Sequence, residues 1–302
     1  MIIYNKPNRS KNKKNAIIAV GNFDGLHLGH KKVLLQAKKK ANKHNLDFGV
    51  VTFEPVPVMF FNKNIINHRI NNFDQKIEGL RKLKVNFINV IKFNKKFSNL
   101  NPDEFIKKIL VNKLKAKFIF ISKNFKFGKN REGNVNTLKQ KENYYSYESI
   151  ITSPLTKKNK ILSSSIIRHE ISKGNISKAN KFLGRPWSIE GTVVKGKKRG
   201  RKIGFPTCNI NIKDYILPRL GVYAVNVKLG NKYKKGIANI GYRPTFKGKK
   251  ILLEVNIFGL KQNLYKKTLK VSFVKFIRKE KKFKNINELK IQIKKDIKIA
   301  KK

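Results

Sequence analysis

The 302-residue sequence predicts two domains in succession: an α/β domain built on a parallel sheet, and a small all-β domain of barrel or sandwich type that ends in a helix. In the first half, apolar strand-like runs alternate with helix-like segments. In the second half, short strand-like segments are separated by Gly, Pro and Asn. Gly184-Arg185-Pro186 lies between them, where Gly ends a helical segment and Pro keeps it from resuming. We therefore predict domains at residues 1–184 and 185–302.

The elements of the first half follow from its apolar pattern. The continuous apolar run Ala16–Val20 is typical of a strand that is buried on both faces. Asn101-Pro102-Asp103-Glu104 indicates a helix start, with an Asn cap, Pro at the first helical position and acids in the first turn. Further strands are predicted at residues 48–53, 85–91 and 118–121, and helices at residues 31–42, 73–83, 101–115 and 176–183.

The second half has the texture of an all-β domain. Its predicted strands lie at residues 189–195, 222–228, 233–240, 251–258 and 268–276. A final helix is predicted from about Asn287, because Leu289, Ile293 and Ile297 then fall on one face.

The charge of the chain is unusual. The chain has 60 lysines, 11 arginines and only 17 acids, which gives a formal net charge of +54. Arg is the preferred residue for bidentate phosphate and base contacts, and the lysines are dispersed, so a nucleic-acid partner is not expected. A basic surface still attracts anionic substrates such as ATP.

The cysteine count and the apolar pattern of the sequence limit the disulfides, metal sites and cellular locations that we expect. The single cysteine, Cys208, excludes an internal disulfide framework and a multi-cysteine metal site. The N-terminal segment has no apolar core of a signal peptide, and no run approaches the roughly 20 apolar residues of a membrane span. We therefore expect a cytoplasmic protein with no membrane partner.

The first group of chemically suggestive residues follows the first predicted strand and reads Gly21-Asn22-Phe23-Asp24-Gly25-Leu26-His27-Leu28-Gly29-His30. Ligands bind at the carboxyl ends of strands in an open α/β sheet. The glycines allow close approach to a phosphate, and a helix start offers N–H groups to an anion. The two histidines, three residues apart, can donate hydrogen bonds to charge that develops on a phosphoryl group.

This decapeptide resembles the nucleotidylyltransferase signature, with its His-x-Gly-His core, and the Gly-x-Phe-Asp-Gly form is typical of bacterial FAD synthetases. The resemblance implies a nucleotidylyltransferase-type, Rossmann-like domain with His27 and His30 as catalytic residues. It also implies an ATP site. The ATP-binding residues implied within this motif are Gly21, Phe23, Asp24, Gly25 and Gly29.

Three further segments of the first half resemble the same family. Ser163-Ser164-Ser165-Ile166-Ile167-Arg168 is similar to a Ser-Ser-Thr-x-x-Arg element that binds the triphosphate, which implies an ATP-binding role for Ser163, Ser164, Ser165 and Arg168. Asn124-Phe125-Lys126-Phe127-Gly128 is similar to a segment that lines the flavin pocket, and it implies flavin contacts for Asn124, Phe125 and Phe127. Phe53-Glu54-Pro55-Val56-Pro57 resembles a Phe-Glu-Pro-His-Pro loop, with Val56 in place of the His.

The second group opens the β-rich half. The basic, glycine-containing segment 196–204 suits nucleotide phosphates, and it leads into Pro206-Thr207-Cys208-Asn209. The latter resembles the Pro-Thr-Ala-Asn signature of riboflavin kinases, which implies a Greek-key barrel and Mg²⁺ ligands at Thr207 and Asn209. The implied ATP-binding residues here are Gly196, Lys197, Lys202, Gly204 and Pro206.

Glu254 is one of very few acids in this half, and it matches the Glu of the riboflavin kinase Glu-x-His strand. The resemblance implies that it is the general base for the attacking hydroxyl. Asn256 stands in place of the usual His, Gly259 in place of an Asp and Lys266 in place of a Gly. With Asp24, Glu254 is one of two acids that we expect to be placed for chemistry.

Together these motifs resemble the bacterial bifunctional riboflavin kinase/FAD synthetase family. The resemblance implies ATP-dependent phosphorylation of riboflavin to FMN, then adenylylation of FMN to FAD with release of pyrophosphate. Riboflavin, FMN and ATP are the implied small molecules, with Mg²⁺ as cofactor. Three alternatives stay open: another nucleotidylyltransferase, a nucleic-acid-binding protein, and a chain in which only one activity is retained.

Overall fold

The computed structural model describes residues 1–7, 14–65, 68–157, 160–196, 199–212, 215–245, 248–260 and 262–302. Tertiary contacts divide the chain into two compact units. Unit 1 comprises Met1–Ile66 and Lys76–Ser163, and unit 2 comprises Asn67–Gln75 and Ser164–Lys302. The division by contacts therefore falls before the helices that precede residue 185. The predicted functional boundary at 184/185 stays a prediction.

Unit 1 is a parallel sheet with helices, as predicted. The order of its strands is β1-β4-β3-β2-β5-β6, and every pairing between neighbours is parallel. The strands are β1 (Ile2–Tyr4), β2 (Ala16–Val20), β3 (Asp47–Glu54), β4 (Phe87–Lys92), β5 (Ala116–Ser122) and β6 (Glu148–Thr152). A separate small hairpin pairs β7 (Thr156–Lys157) with β8 (Lys160–Ile161).

The helices of unit 1 connect these strands. They are α1 (Leu28–His44), α2 (Pro57–Phe61), α3 (Phe73–Lys82, its first three residues in unit 2), α4 (Lys95–Ser98), α5 (Pro102–Glu104), α6 (Val135–Gln140) and α7 (Glu142–Tyr145). Asn101 caps α5 and forms a capping box with Glu104, as the sequence predicts. The predicted helix then continues as a π-helix (Phe105–Lys113), and a 3-10 helix (Lys129–Arg131) follows β5.

The strand order places the first motif at a reversal of the sheet. From β2 the chain builds outward through β3 and β4, and then returns to the other side of β2 as β5. Ligands of open α/β sheets bind at such a switch point, outside the carboxyl ends of the strands. The loop that carries Gly21 to His27 leaves β2 at this point.

Unit 2 contains a closed antiparallel barrel with the order β10-β13-β12-β11-β14-β9. Strands β11, β12 and β13 form consecutive hairpins and β10 lies beside β13, which is a Greek-key arrangement. The strands are β9 (Ser188–Val194), β10 (Cys208–Asn211), β11 (Gly221–Leu229), β12 (Lys232–Thr245), β13 (Gly248–Ile257) and β14 (Thr268–Arg278).

The helices of unit 2 cover the barrel. They are α8 (Ser164–Ser172), α9 (Ile176–Leu183), α10 (Arg199–Lys202) and α11 (Ile286–Lys301). Apolar residues of α8 and α9, including Ile167 and Leu183, belong to the same buried cluster as the barrel interior. The indole Nε1–H of Trp187 donates to the carbonyl of Ile70, which explains why segment 67–75 belongs to this unit. Among the described residues, no helix is long and apolar enough to cross a membrane.

Two candidate active sites

The loop between β2 and α1 is held in an unusual backbone conformation. Phe23 (φ +49°) and Leu26 (φ +42°) lie in the left-handed region, although neither is glycine. Such conformations cost about 1–3 kcal/mol each and persist only where the surroundings impose them. Both side chains are buried, and Leu26 fills the space that a Cβ would need at Gly79 of α3. Burial of these two side chains therefore fixes the loop that carries Asp24 and His27.

The two histidines of this motif lie together at the start of α1. His27 caps the helix, and its Nδ1 accepts a hydrogen bond from the backbone N–H of His30 at 3.3 Å. The two rings stack with centroids 3.7 Å apart, and the ring of Phe23 packs edge-on against His30. Because Nδ1 of His27 is an acceptor, its Nε2 carries the proton in the neutral ring and can donate. A Cβ at Gly29 would lie 3.0 Å from the His27 ring, so a larger residue there would press on that ring.

The serine motif begins close to this point. The side chain of Leu162 lies 3.4 Å from the position that a Cβ of Gly29 would occupy, and Ser163 follows it directly. In unit 2, Ser164 begins α8, Ser165 is exposed, and the Nε–H of Arg168 donates to the carbonyl of His68 at 2.8 Å.

Aromatic rings form a continuous cluster at the carboxyl ends of β3, β4 and β5. Phe125 and Phe127 stack with centroids 5.4 Å apart, and Phe127 packs into the buried core, whereas Phe125 is half-buried and Asn124 is exposed. The cluster continues from Phe127 through six further rings, of which only Phe53 belongs to a motif recognised in the sequence. These are Phe105, Phe97, Phe53, Phe93, Phe60 and Phe61. Aromatic residues directly after predicted strands are the signal that could have indicated them.

Val56, which replaces the His of the family's loop, is buried and precedes α2. In this chain the position is therefore part of the apolar packing.

The second candidate site is a row of polar side chains on the outside of the barrel. Asn209 on β10 is paired in register with Glu254 on β13, and Glu254 is paired with Asn239 on β12. Their neighbours along the strands, including Ile210 and Leu253, are fully buried in the barrel interior. Because side chains alternate along a strand, the three polar residues share the outer face.

Two glycines lie directly against the predicted magnesium ligands. A Cβ at Gly196 would collide with the side-chain amide of Asn209. A Cβ at Gly200 would collide with the carbonyl of Phe205 and would lie 3.3 Å from Oγ1 of Thr207. Glycine at both positions thus allows the loop to pack directly against Asn209 and against the carbonyl of Phe205. Lys197 lies outside the described residues, and the exposed Lys202 and Gly204 complete the same loop.

Asn256 holds the other side of this loop. Its Nδ2 donates to the carbonyl of Pro206 at 2.7 Å, and its side chain is largely buried. The Asn that replaces the usual His therefore fixes the chain immediately before Thr207.

These residues line a cavity of about 900 Å³. Its loop side carries the cations Lys195, Arg201 and Lys202, and its strand side carries Glu254. Glu280 also lines the cavity, and its Oε1 lies 3.5 Å from Nδ2 of Asn239. The loop side of the cavity is thus cationic, whereas the other side carries carboxylates together with the cations Arg278 and Lys281.

The helix α11 forms a further wall, fixed by an ion pair that the sequence analysis missed. The guanidinium of Arg278 donates from Nε and Nη2 to both carboxylate oxygens of Asp296, at 2.8 to 3.0 Å. Gln292 also donates to Asp296, which is 1% exposed. The pair fixes α11 to the end of β14, where the loop that borders the cavity begins.

The donor set beside the loop consists of hard oxygens. Within the described residues, no group of three His, Cys, Asp or Glu side chains could hold a metal ion. Cys208 lies between Thr207 and Asn209, but its Sγ donates to the carbonyl of Val255, away from the outer face. Burial raises the pKa of its thiol to about 11, so it is not a thiolate ligand at neutral pH.

Comparisons with known proteins assign a separate family model to each half of the chain. The family model for FAD synthetase matches residues 9–166, and that for riboflavin kinase matches residues 183–302. A bifunctional riboflavin kinase/FMN adenylyltransferase from Buchnera aphidicola subsp. Schizaphis graminum is 43% identical over 98% of this chain and 96% of its own length. The protein of the same name from Haemophilus influenzae is 38% identical over 97% of this chain and 96% of its own length.

A crystal structure described as a macrolide-efflux protein from Streptococcus pneumoniae has the same fold, with a TM-score of 0.88 at 30% identity. The match covers 99% of this chain and 98% of that one. The two family models together span most of the chain, and the curated relatives carry both activities in their name. This chain therefore belongs to the family of bifunctional riboflavin kinase/FMN adenylyltransferases.

Proposed function

We propose that the two ATP-dependent reactions of this family occur at the two sites described above. Riboflavin is phosphorylated to FMN in the cavity on the barrel. FMN is adenylylated to FAD at the loop that joins β2 to α1. The observation that carries the barrel assignment is the register of Asn209 beside Glu254, which places an amide oxygen and a carboxylate side by side in a cavity with a basic loop.

In the kinase reaction, the terminal ribityl hydroxyl of riboflavin attacks the γ-phosphorus of ATP. Glu254 accepts the hydroxyl proton as the new O–P bond forms, and the bond from phosphorus to the bridging oxygen breaks to release ADP. Lys202 and the backbone of the loop at Gly196 and Gly204 bind the phosphates.

Thr207 and Asn209 would hold the magnesium ion, because both line the cavity and both carry a neutral hard oxygen. When bound, Mg²⁺ neutralises charge on the ATP phosphates. Asn239 donates or accepts hydrogen bonds along the ribityl side of the cavity, and the carboxylate of Glu280 accepts them.

In the adenylyl transfer, a phosphate oxygen of FMN attacks the α-phosphorus of ATP, and pyrophosphate leaves. The FMN phosphate is already an anion, so no general base is needed. His27 and His30 donate hydrogen bonds to charge on the α-phosphoryl group, and the start of α1 adds backbone N–H groups. Ser163, Ser164, Ser165 and Arg168 bind the departing phosphates.

The flavin ring of FMN binds at the aromatic cluster at the carboxyl edge of the sheet. Phe125 is the half-buried ring beside the core residue Phe127, and Asn124 is exposed next to it. Phe125 therefore stacks on the ring system and Asn124 supplies polar contacts, while Phe127 supports Phe125 from below.

The test uses the whole chain with riboflavin, ATP and Mg²⁺, and separates flavins by chromatography. We expect FMN and FAD from the unchanged protein. Asn209→Ala abolishes FMN formation and leaves FMN-to-FAD conversion largely intact, whereas His30→Ala does the reverse. The absence of both products from the unchanged protein, or the loss of both activities in one folded variant, would contradict the proposal.

A further inference from the structure

A buried lysine lies behind the first site and has no role in the mechanism above. Lys76, on α3, is 4% exposed. Its Nζ lies 3.1 Å from Oγ1 of Thr52 and 3.9 Å from Oε2 of Glu54. Burying an ammonium group costs free energy unless hydrogen bonds or ion pairs replace its contacts with water. The contacts with Thr52 and Glu54 provide that compensation.

The direction of the hydrogen bonds is fixed by chemistry. An ammonium group can only donate, so the Thr52 hydroxyl accepts from Lys76. The hydroxyl proton of Thr52 is then directed to the carbonyl of Asn22, at 3.1 Å. The result is a donor chain that runs from a buried cation to the backbone of the first motif.

This chain holds the motif where it leaves the sheet. The backbone N–H of Gly21 donates to the carbonyl of Val51 at 3.1 Å, and the next residues, Asn22 and Thr52, form the contact just described. The loop is thus fixed to β3 at two consecutive points, directly before the strained residue Phe23 and before Asp24. A hydrogen bond from a charged donor is roughly twice as strong as a neutral one, and donor chains reinforce one another.

We propose that Lys76, acting through Thr52, is a positioning residue of the adenylyl-transfer site. It orients the carbonyl of Asn22 and so holds the loop in the conformation that receives the ATP phosphates. The inference rests on the function proposed for this site.

The test compares Lys76→Met, Thr52→Val and the double variant with the unchanged protein. For each, kcat and KM for ATP and for FMN are measured in FAD formation, and riboflavin phosphorylation is measured in the same preparation. We expect each single variant to lower kcat/KM for ATP in FAD formation by tenfold to a hundredfold, with KM for FMN changed less than threefold. The double variant should lose no more than the worse single variant, because both residues act in one chain.

Two controls separate positioning from folding. Thr52→Ser keeps the hydroxyl and should retain at least half of the activity. Lys82→Met removes an exposed lysine of the same helix, and it should leave both reactions unchanged. If Lys76→Met fails to fold, the nearly isosteric Thr52→Val still tests the chain.

Normal FAD formation by Lys76→Met or by Thr52→Val would overturn the inference, as would losses that add in the double variant. Failure of the proposed function is a different result. In that case the unchanged protein would form no FAD, or His30→Ala would form it at the normal rate.

Discussion

Asn256 departs from the family pattern, yet its side chain makes a specific hydrogen bond in this structure. Because a His is usual at this position, the sequence leaves open the alternative that only one activity is retained. The structure instead gives the amide a partner, the carbonyl of Pro206, which lies next to the predicted magnesium ligand Thr207. The carbonyl of Pro206 needs a hydrogen-bond donor beside it, and a side chain with only acceptor oxygens would repel it. We therefore expect any donor at position 256, whether Asn or His, to hold the loop.

This contact predicts the effect of Asn256→Asp, which keeps the shape and removes the donor. A carboxylate would then face the carbonyl of Pro206, and the unsatisfied buried pair costs about 1–3 kcal/mol. We expect the loop to shift and the KM for ATP in riboflavin phosphorylation to rise about tenfold, with FMN-to-FAD conversion unchanged. Steady-state kinetics of both reactions measure this, and Asn256→His, which can donate, is the matched control. Equal kinetics for the Asp variant and the unchanged protein would contradict the role.

The environment of the single cysteine, Cys208, predicts a thiol of low reactivity. Burial raises the pKa of Cys208 from about 9 to about 11, so the neutral thiol is favoured in the folded protein. The stabilisation from this shift is complete below pH 9 and is lost as the pH rises through 11.

We therefore expect Cys208 to react with iodoacetamide at pH 8 at least tenfold more slowly in the native protein than in urea. Mass spectrometry gives a clean readout, because the chain has one cysteine. Cys208→Ala should retain kinase activity. Similar labelling rates in the native and unfolded protein would rule out the shift.

At the scale of elements, α11 depends on one buried ion pair. The carboxylate of Asp296 accepts hydrogen bonds from Nε and Nη2 of Arg278 and from the amide of Gln292. Its side chain is almost fully buried. Without Asp296, the partly exposed guanidinium of Arg278 and the amide of Gln292 both lose their acceptor, which costs about 1–3 kcal/mol and more for a charged donor.

Asp296→Ala should therefore lower the free energy of unfolding of unit 2 by about 3 kcal/mol. It should also reduce riboflavin phosphorylation, because α11 forms a wall of the cavity. Urea unfolding followed at Trp187, the single tryptophan, which is buried in the barrel core, measures the loss. Lys295→Ala, at an exposed position of the same helix, should be neutral. A neutral result for Asp296→Ala would show that the pair adds no stability.

Most elements could be predicted because their apolar patterns are local. The predicted parallel sheet domain, the barrel and the final helix are confirmed. The strands β1, β6, β7, β8 and β10 were not predicted. The sequence of β10, Cys-Asn-Ile-Asn, is half asparagine, which is uncommon in strands. The strand forms because it pairs on both sides, with β9 and with β13.

The parts of the sites that could not be predicted depend on register and packing between distant segments. Nothing in the sequence aligns Asn239 with Glu254, because register is set by strand pairing across the barrel. The contacts of Lys76 with Thr52, and of Arg278 with Asp296, likewise join separate elements. The motif residues themselves are assigned by resemblance, and their catalytic roles remain predictions.

At the scale of the whole molecule, the net charge of +54 acts on the encounter with substrates rather than on the chemistry. The two reactions of the family both use ATP, and FMN adenylylation also uses the anion FMN, whereas riboflavin is neutral. A strongly positive surface raises the local concentration of anions and leaves neutral ligands unaffected. The positive charge should therefore favour binding of ATP in both reactions and of FMN in the second, but not binding of riboflavin.

If the positive surface attracts anionic substrates, salt should raise the KM values of those substrates selectively. The Debye length falls from about 30 Å at 0.01 M to about 8 Å at 0.15 M ionic strength. Over that range we expect the KM for ATP at both sites and the KM for FMN to rise about threefold to tenfold, with kcat changed less than twofold. The KM for riboflavin should stay constant, which makes the neutral substrate an internal control. A parallel rise of the riboflavin KM would mean that salt acts on the fold, and constant KM values for ATP would mean that the surface charge does not steer nucleotides.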